Sequence, residues 1–113
     1  MQAALKNQQF RSVFTTKEYA LQSFTGHPKG EKISGSMVTF LGGKTPSNGL
    51  RIIGGKTGYT VAAGLCLASL AVSDKTGNEY ILITGKAPGN YWDTDSPNHT
   101  EDALTVYGAI VEA

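Results

Sequence analysis

Ile52-Ile53-Gly54-Gly55-Lys56-Thr57-Gly58-Tyr59-Thr60, followed after two residues by Ala63-Gly64-Leu65-Cys66-Leu67-Ala68-Ser69, is the stretch on which the fold turns. A lysine set between glycines lets backbone and ammonium come close to an anion, and the hydroxyls of Thr57 and Thr60 can donate to it. Three readings are open. A phosphate-binding P-loop needs a glycine five residues before Gly55, where Leu50 stands. The second Gly-Lys-Thr, at Gly43, fails on the same spacing, because Val38 stands there. A Lys-Thr-Gly box, in which the lysine ammonium and the threonine hydroxyl serve one anionic group, fits the letters without needing that glycine. An ordinary solvated turn fits them too.

Upstream, Gln2 to Phe14 sets Ala3, Ala4, Phe10 and Phe14 among polar residues and reads as a short amphipathic helix. Thr16 to Phe24 alternates loosely and predicts a strand. Gly26-His27-Pro28-Lys29-Gly30 predicts a turn, and Lys32 to Phe40 a returning strand. Gly42 to Gly49 is a loop by composition. Downstream, Leu50 to Ile53 and Glu79 to Thr84 predict strands, the second rich in β-branched and aromatic residues. Ala62 to Val72 suits a helix by propensity and a buried strand by its apolar run. Ser73 to Asn78 reads as a short turn, and Lys86 to Pro97 as a loop. A helix is expected from Asn98 to Glu112, capped by Asn98 or Thr100. The order predicts an α+β domain.

Composition excludes several functions. The chain has 113 residues and a formal net charge of +1, with its charges scattered, so it offers no basic stripe for nucleic acid. The single cysteine, Cys66, permits neither an internal disulfide nor a cysteine-rich metal site. Asp93-Thr94-Asp95 lacks the glycine of a calcium loop and is followed by Pro97. The expectation is no metal and no organic cofactor. The longest mostly apolar run, Val61 to Val72, is about a dozen residues, short of the roughly 20 of a membrane helix. The residues after Met1 do not read as a signal peptide. His27 and His99 read as surface residues, Cys66 as a buried strand residue, and Tyr91 and Trp92 as packing residues with a cleft lining as the alternative.

The segment from Ile52 to Ser69 resembles the Lys-Thr-Gly strand and the Ala-Gly-x-Cys-Leu strand of serine-type D-alanyl-D-alanine carboxypeptidases, the low-molecular-mass penicillin-binding proteins. The likeness extends loosely through Glu79 to Gly85 and Ala103-Leu104 with Tyr107-Gly108. Upstream it takes in Ala4-Leu5-Lys6-Asn7, Phe10-Arg11 and Thr16-Lys17-Glu18-Tyr19. It tips Ala62 to Val72 to a strand. It implies a partial penicillin-binding and β-lactamase-like transpeptidase fold, an antiparallel sheet flanked by helices. Residues 1–113 would be a single partial domain, the C-terminal portion of the catalytic domain.

By resemblance, Lys56 would hold positive charge beside the acylated serine, and the Tyr59 N–H would form half of the oxyanion hole. Thr57, Gly58 and Thr60 would bind substrate. The parent would trim peptidoglycan stem peptides, react with β-lactams, and be exported and membrane-associated. The nucleophile element Ser-x-x-Lys is missing. Three residues before the eight lysines stand Ala3, Phe14, Gly26, Lys29, Leu41, Ile53, Val72 and Ile83. Ser96-Pro97-Asn98 spells Ser-x-Asn but follows the box instead of preceding it, and Lys86 is the stand-in for a carboxylate-binding basic residue. The chain alone is therefore expected to be inactive. The alternative is a non-catalytic remnant or assembly module that associates through an exposed sheet edge. The expected partners are a second copy or the absent N-terminal part.

Overall fold

The structure is a computed structural model that describes residues 1–23 and 25–112. It is α+β, two antiparallel sheets flanked by helices. The elements run α1 (Gln2–Leu5), α2 (Gln8–Phe14), β1 (Glu18–Leu21), β2 (Glu31–Ser34), α3 (Ser36–Leu41), β3 (Arg51–Thr60), β4 (Gly64–Val72), β5 (Glu79–Ala87) and α4 (Asn98–Gly108).

The amphipathic segment at the start is two helices, because Asn7 intervenes. Its side-chain oxygen accepts the Phe10 N–H at 3.0 Å and caps α2, which a continuous helix would not allow. Thr15 and Thr16 close α2 by donating their hydroxyls back to the carbonyls of Arg11 and Ser12, at 2.8 and 2.6 Å. The strand expected over Thr16 to Phe24 is confined to β1, with Phe24 outside the described residues. It pairs with β2, setting Tyr19 opposite Ile33, and every residue of the two strands is exposed.

The strand expected from Lys32 to Phe40 ends at Ser34, and Ser36–Leu41 is helical. Met37, Phe40 and Leu41 are the buried residues of α3, at the i, i+3, i+4 spacing of a helix face. Gly42 then stops α3 in the left-handed conformation at φ 59°.

The second sheet has the order β3-β4-β5, all antiparallel. Ala62 to Val72 is a strand from Gly64 on, and Ser73 to Asn78 forms the expected turn into β5. β3 does not stop at Ile53 but carries the whole Gly-Gly-Lys-Thr-Gly stretch. β5 likewise runs three residues past Thr84, to Ala87. Successive strand residues point to opposite faces. On one face α3 and α4 bury Met37, Leu41, Leu50, Ile52, Leu67, Ala71, Ala103 and Tyr107 in one cluster. On the other, the hydrophobic cluster under α1 and α2 holds Leu5, Phe14 and Leu70 among the described residues.

Two adjacent glycines let helices approach both faces of β3. A Cβ on Gly54 would lie 2.7 Å from the Phe14 carbonyl oxygen, and one on Gly55 would lie 2.2 Å from Met37 Sδ. α4 ends at Gly108 instead of Glu112 and is preceded by Pro97 at the cap position, without a side-chain cap. Asn98 instead donates its amide to the Pro88 carbonyl at 2.6 Å, and the Thr100 hydroxyl donates to the carbonyl of Pro97 at 2.9 Å. No helix among the described residues is long and apolar enough to cross a membrane.

Candidate functional site

β3 is an edge strand of its sheet, and the Lys-Thr-Gly residues stand in its second half. Beside them lies an open cleft of about 350 Å3, lined by Lys56, Thr57, Gly58, Tyr59, Tyr91 and Trp92. The strand alternation distributes these residues unequally. Lys56 is exposed on the α1–α2 face, and its ammonium donates to the Thr57 carbonyl. It also borders a groove of about 360 Å3 with Met1, Phe10, Val13, Phe14 and Ala68. Thr57 points the other way. It is buried, and its hydroxyl is paired with that of Ser36, the first residue of α3.

Gly58 is exposed opposite Cys66, and nothing lies nearer than 3.9 Å to where its Cβ would be. Tyr59 is half-buried and stacks on Tyr91, with ring centroids 6.3 Å apart. Thr60 takes a local role, since its hydroxyl oxygen accepts the Ala63 N–H at 3.0 Å across the turn into β4. The five residues named from sequence thus sit on one strand end, and four of them line the cleft. Thr60 is not part of that lining.

Other sequence readings change here. Tyr91 and Trp92 line the cleft, and Trp92 is 83% exposed. His99 is not a surface residue. It is fully buried, because α4 turns its first residues under α3 and the loop before it. His27 is exposed, as read, and sits 3.7 Å from Glu31. Cys66 lies on β4 as expected but is half-buried, its thiol donating to the Ala63 carbonyl at 3.4 Å. Lys86 lies on β5, away from the cleft lining, and is held at φ 60° where the β4–β5 register slips past Cys66. Ser36 was missed by sequence reasoning. Its signal, a hydroxyl inside an apolar helical face, becomes visible only once Ser36 to Leu41 is read as a helix.

The crystal structure of D-alanyl-D-alanine carboxypeptidase from Mycobacterium tuberculosis H37Rv is similar to this chain, with a TM-score of 0.53 and 22% identity. The match covers 94% of this chain and 37% of that one, so the chain spans little more than a third of the carboxypeptidase's length. No family model and no curated protein matches the chain. At this level of identity the likeness is one of fold.

Proposed function

We propose that residues 1–113 are the C-terminal portion of a serine D-alanyl-D-alanine carboxypeptidase catalytic domain, and that the chain by itself is inactive. The observation that carries this reading is the cleft along edge strand β3, where Lys56, Thr57, Gly58 and Tyr59 meet in a fold shared with a carboxypeptidase. In the intact enzyme Lys56 supplies positive charge and a proton-transfer partner to a serine delivered by the remainder of the domain. The Tyr59 backbone N–H offers one donor to the oxyanion, and the serine's own N–H the other. Thr57 and Gly58, which line the cleft, receive the substrate carboxylate, and Thr60, outside that lining, reaches it with the hydroxyl proton that its bond from the Ala63 N–H leaves free. Thr57 reaches that carboxylate by exchanging Ser36 for it, since the two hydroxyls are paired in this chain. The substrate is a peptidoglycan stem peptide, β-lactams take its place on the serine, and the parent acts outside the cytoplasm.

Incubation with a fluorescent penicillin followed by denaturing electrophoresis tests this. The isolated chain stays unlabelled, because loss of the nucleophile in a serine hydrolase costs about a millionfold in kcat. Combined with a Ser-x-x-Lys-bearing N-terminal portion, the chain restores a labelled band, and Lys56→Ala weakens it. A band on the isolated chain overturns the proposal.

A second reading is favoured by the other sheet edge. β5 pairs with β4 alone among the described residues, and Ile83 on it is 63% exposed. An unpaired strand edge is a template for another chain. On this reading the molecule is an assembly module that joins a second copy or the complementary N-terminal part through β5. Light scattering that gives a monomer at tens of micromolar, unchanged by Ile83→Lys, removes it.

A further inference from the structure

His99 is 0% exposed, yet neither of its ring nitrogens meets a hydrogen-bond partner among the described residues. It is the second residue of α4, where the positive end of the helix dipole disfavours a cation. Its ring stands edge-on to Phe40, with centroids 4.7 Å apart. Phe40 in turn stands edge-on to Tyr91 at 5.4 Å, and Tyr91 meets Trp92 edge-on at 5.4 Å and stacks on Tyr59 at 6.3 Å. The residues on either side of His99 tie the same parts together. Asn98 holds the Pro88 carbonyl, where the loop carrying Tyr91 begins, and Thr100 donates to the Phe40 carbonyl at 3.3 Å. One imidazole therefore underlies the aromatic wall of the cleft.

We propose that His99 is a positioning residue whose protonation releases this wall, so that the cleft beside Lys56 keeps its shape at neutral pH and loosens in acid. The proposal goes beyond the catalytic reading and does not depend on it, since it concerns the shape of the cleft and not what the cleft binds.

The surroundings set the direction. Burial, the largest influence, pushes the His99 ring below its ordinary value of 6.5. Asp102, one turn along α4, and the Pro97 carbonyl pull the other way without prevailing. Pro97 accepts no hydrogen bond from either ring nitrogen, so Asp102 is the stronger of the two opposing influences. α3, packed against the ring, carries no titratable side chain between Ser36 and Leu41. The loop brings the Tyr91 phenol, which Phe40 separates from the imidazole, while Asp93 and Asp95 are exposed. For a group whose value is lowered by folding, the neutral packed state is fully kept above 6.5 and lost as pH falls through the depressed value.

Nuclear magnetic resonance on the intact chain, titrated from about pH 7.5 to about pH 4.5, tests the coupling. The expected result is a shift of the Trp92 indole resonance and a loss of Phe40–Tyr91 ring contacts, both in step with the His99 ring and with a midpoint below 6.5. His99→Gln, which keeps a polar side chain but cannot titrate in this range, abolishes the Trp92 shift. His27→Gln leaves it unchanged. If His99→Gln fails to fold, the wild-type titration still decides, because the Trp92 and His99 curves either coincide or do not. A Trp92 resonance that stays fixed while His99 titrates overturns the proposal. So does a shift that persists in His99→Gln, or a simultaneous loss of the helical circular dichroism signal, which marks plain unfolding.

Discussion

The two faces of the central sheet are built to different standards. Under α3 and α4, eight residues are buried in one cluster, and the Tyr107 hydroxyl is paired with Ser69 at 2.9 Å in the interior. Under α1 and α2 the cluster holds three of the described residues, while Val13 is 76% exposed and Phe10 38%. Strand alternation then assigns neighbouring residues of one motif to these unequal environments, with Thr57 on the well-packed face and Lys56 on the sparse one. The difference teaches that the fold is held from one side. The side left thin is where Lys56 projects, beside an apolar groove that the short α1 and α2 leave open.

The strongest way to break this contrast is a matched pair of truncations. Leu67→Ala removes a side chain that is 2% exposed in the larger cluster, whereas Leu5→Ala removes one that is 8% exposed in the smaller. Leucine truncations in cores cost about 2–5 kcal/mol, depending on how far the site collapses. Leu67→Ala belongs near the top of that range, roughly 4 kcal/mol, and Leu5→Ala near its bottom, roughly 2 kcal/mol. Urea midpoints at unchanged slope measure both. Equal losses would mean that the α1–α2 face carries as much of the fold as the other.

The glycines sharpen the comparison at single-atom scale. Gly55→Ala drives a methyl to 2.2 Å from Met37 Sδ and 3.0 Å from the Ala68 carbonyl oxygen. Such overpacking costs about 1–3 kcal/mol. Gly58→Ala, three residues along the same strand, meets nothing closer than 3.9 Å and should change stability by less than about 0.5 kcal/mol. A Gly55→Ala protein as stable as wild type would show that the Met37 side chain swings aside at no cost and that the contact of α3 with β3 is loose there.

The well-packed face is also closed at its far end, by a carboxylate. Glu112 accepts hydrogen bonds from the hydroxyls of Ser73 and Tyr80 at 2.6 Å and of Thr76 at 2.7 Å. These hold its carboxyl well below the ordinary value of 4.5, at about 2, with Ser73 contributing most. Because folding lowers this value, the stabilisation is present above 4.5 and is lost as pH falls towards about 2. Glu112→Gln should flatten the acid limb of the stability curve across that window. An unaltered limb in the variant assigns the acid sensitivity to other groups.

The architecture was readable in the letters wherever one physical signal dominated. β5 is legible in its β-branched and aromatic run and the Gly-Gly-Lys-Thr-Gly stretch marks the candidate cleft, whereas Ala62 to Val72 suits helix and strand alike and reads as β4 only through the family resemblance. The misreadings came where local chemistry competed. Asn7 carries a capping side chain that splits a helix whose apolar pattern is continuous. Lys32 to Phe40 follows a dense turn and reads as the returning strand of a hairpin, but the burial of Met37, Phe40 and Leu41 follows the helical period. His99, near a helix start and with no partner pattern around it, reads as a surface residue, and only the packing of α4 under Phe40 encloses it. The pairing of Thr57 with Ser36 links residues on different elements, and no spacing rule relates them.

The smallest expected effects come from the motif itself, where the two faces differ by one residue. Thr57→Val keeps the shape of a buried side chain but strips the Ser36 hydroxyl of its partner, and a lost hydrogen bond of this kind costs about 1 kcal/mol. Lys56→Ala removes an exposed side chain whose ammonium touches only the neighbouring Thr57 carbonyl among the contacts described, so stability should stay within about 0.5 kcal/mol of wild type. Adjacent substitutions thus separate by face, with the Thr57 hydroxyl tied to Ser36 on one side and the Lys56 ammonium exposed on the other. Urea denaturation of the two variants side by side measures this. If Lys56→Ala proves the more damaging of the two, Lys56 is a structural residue, and its place in the proposed catalytic cleft is lost.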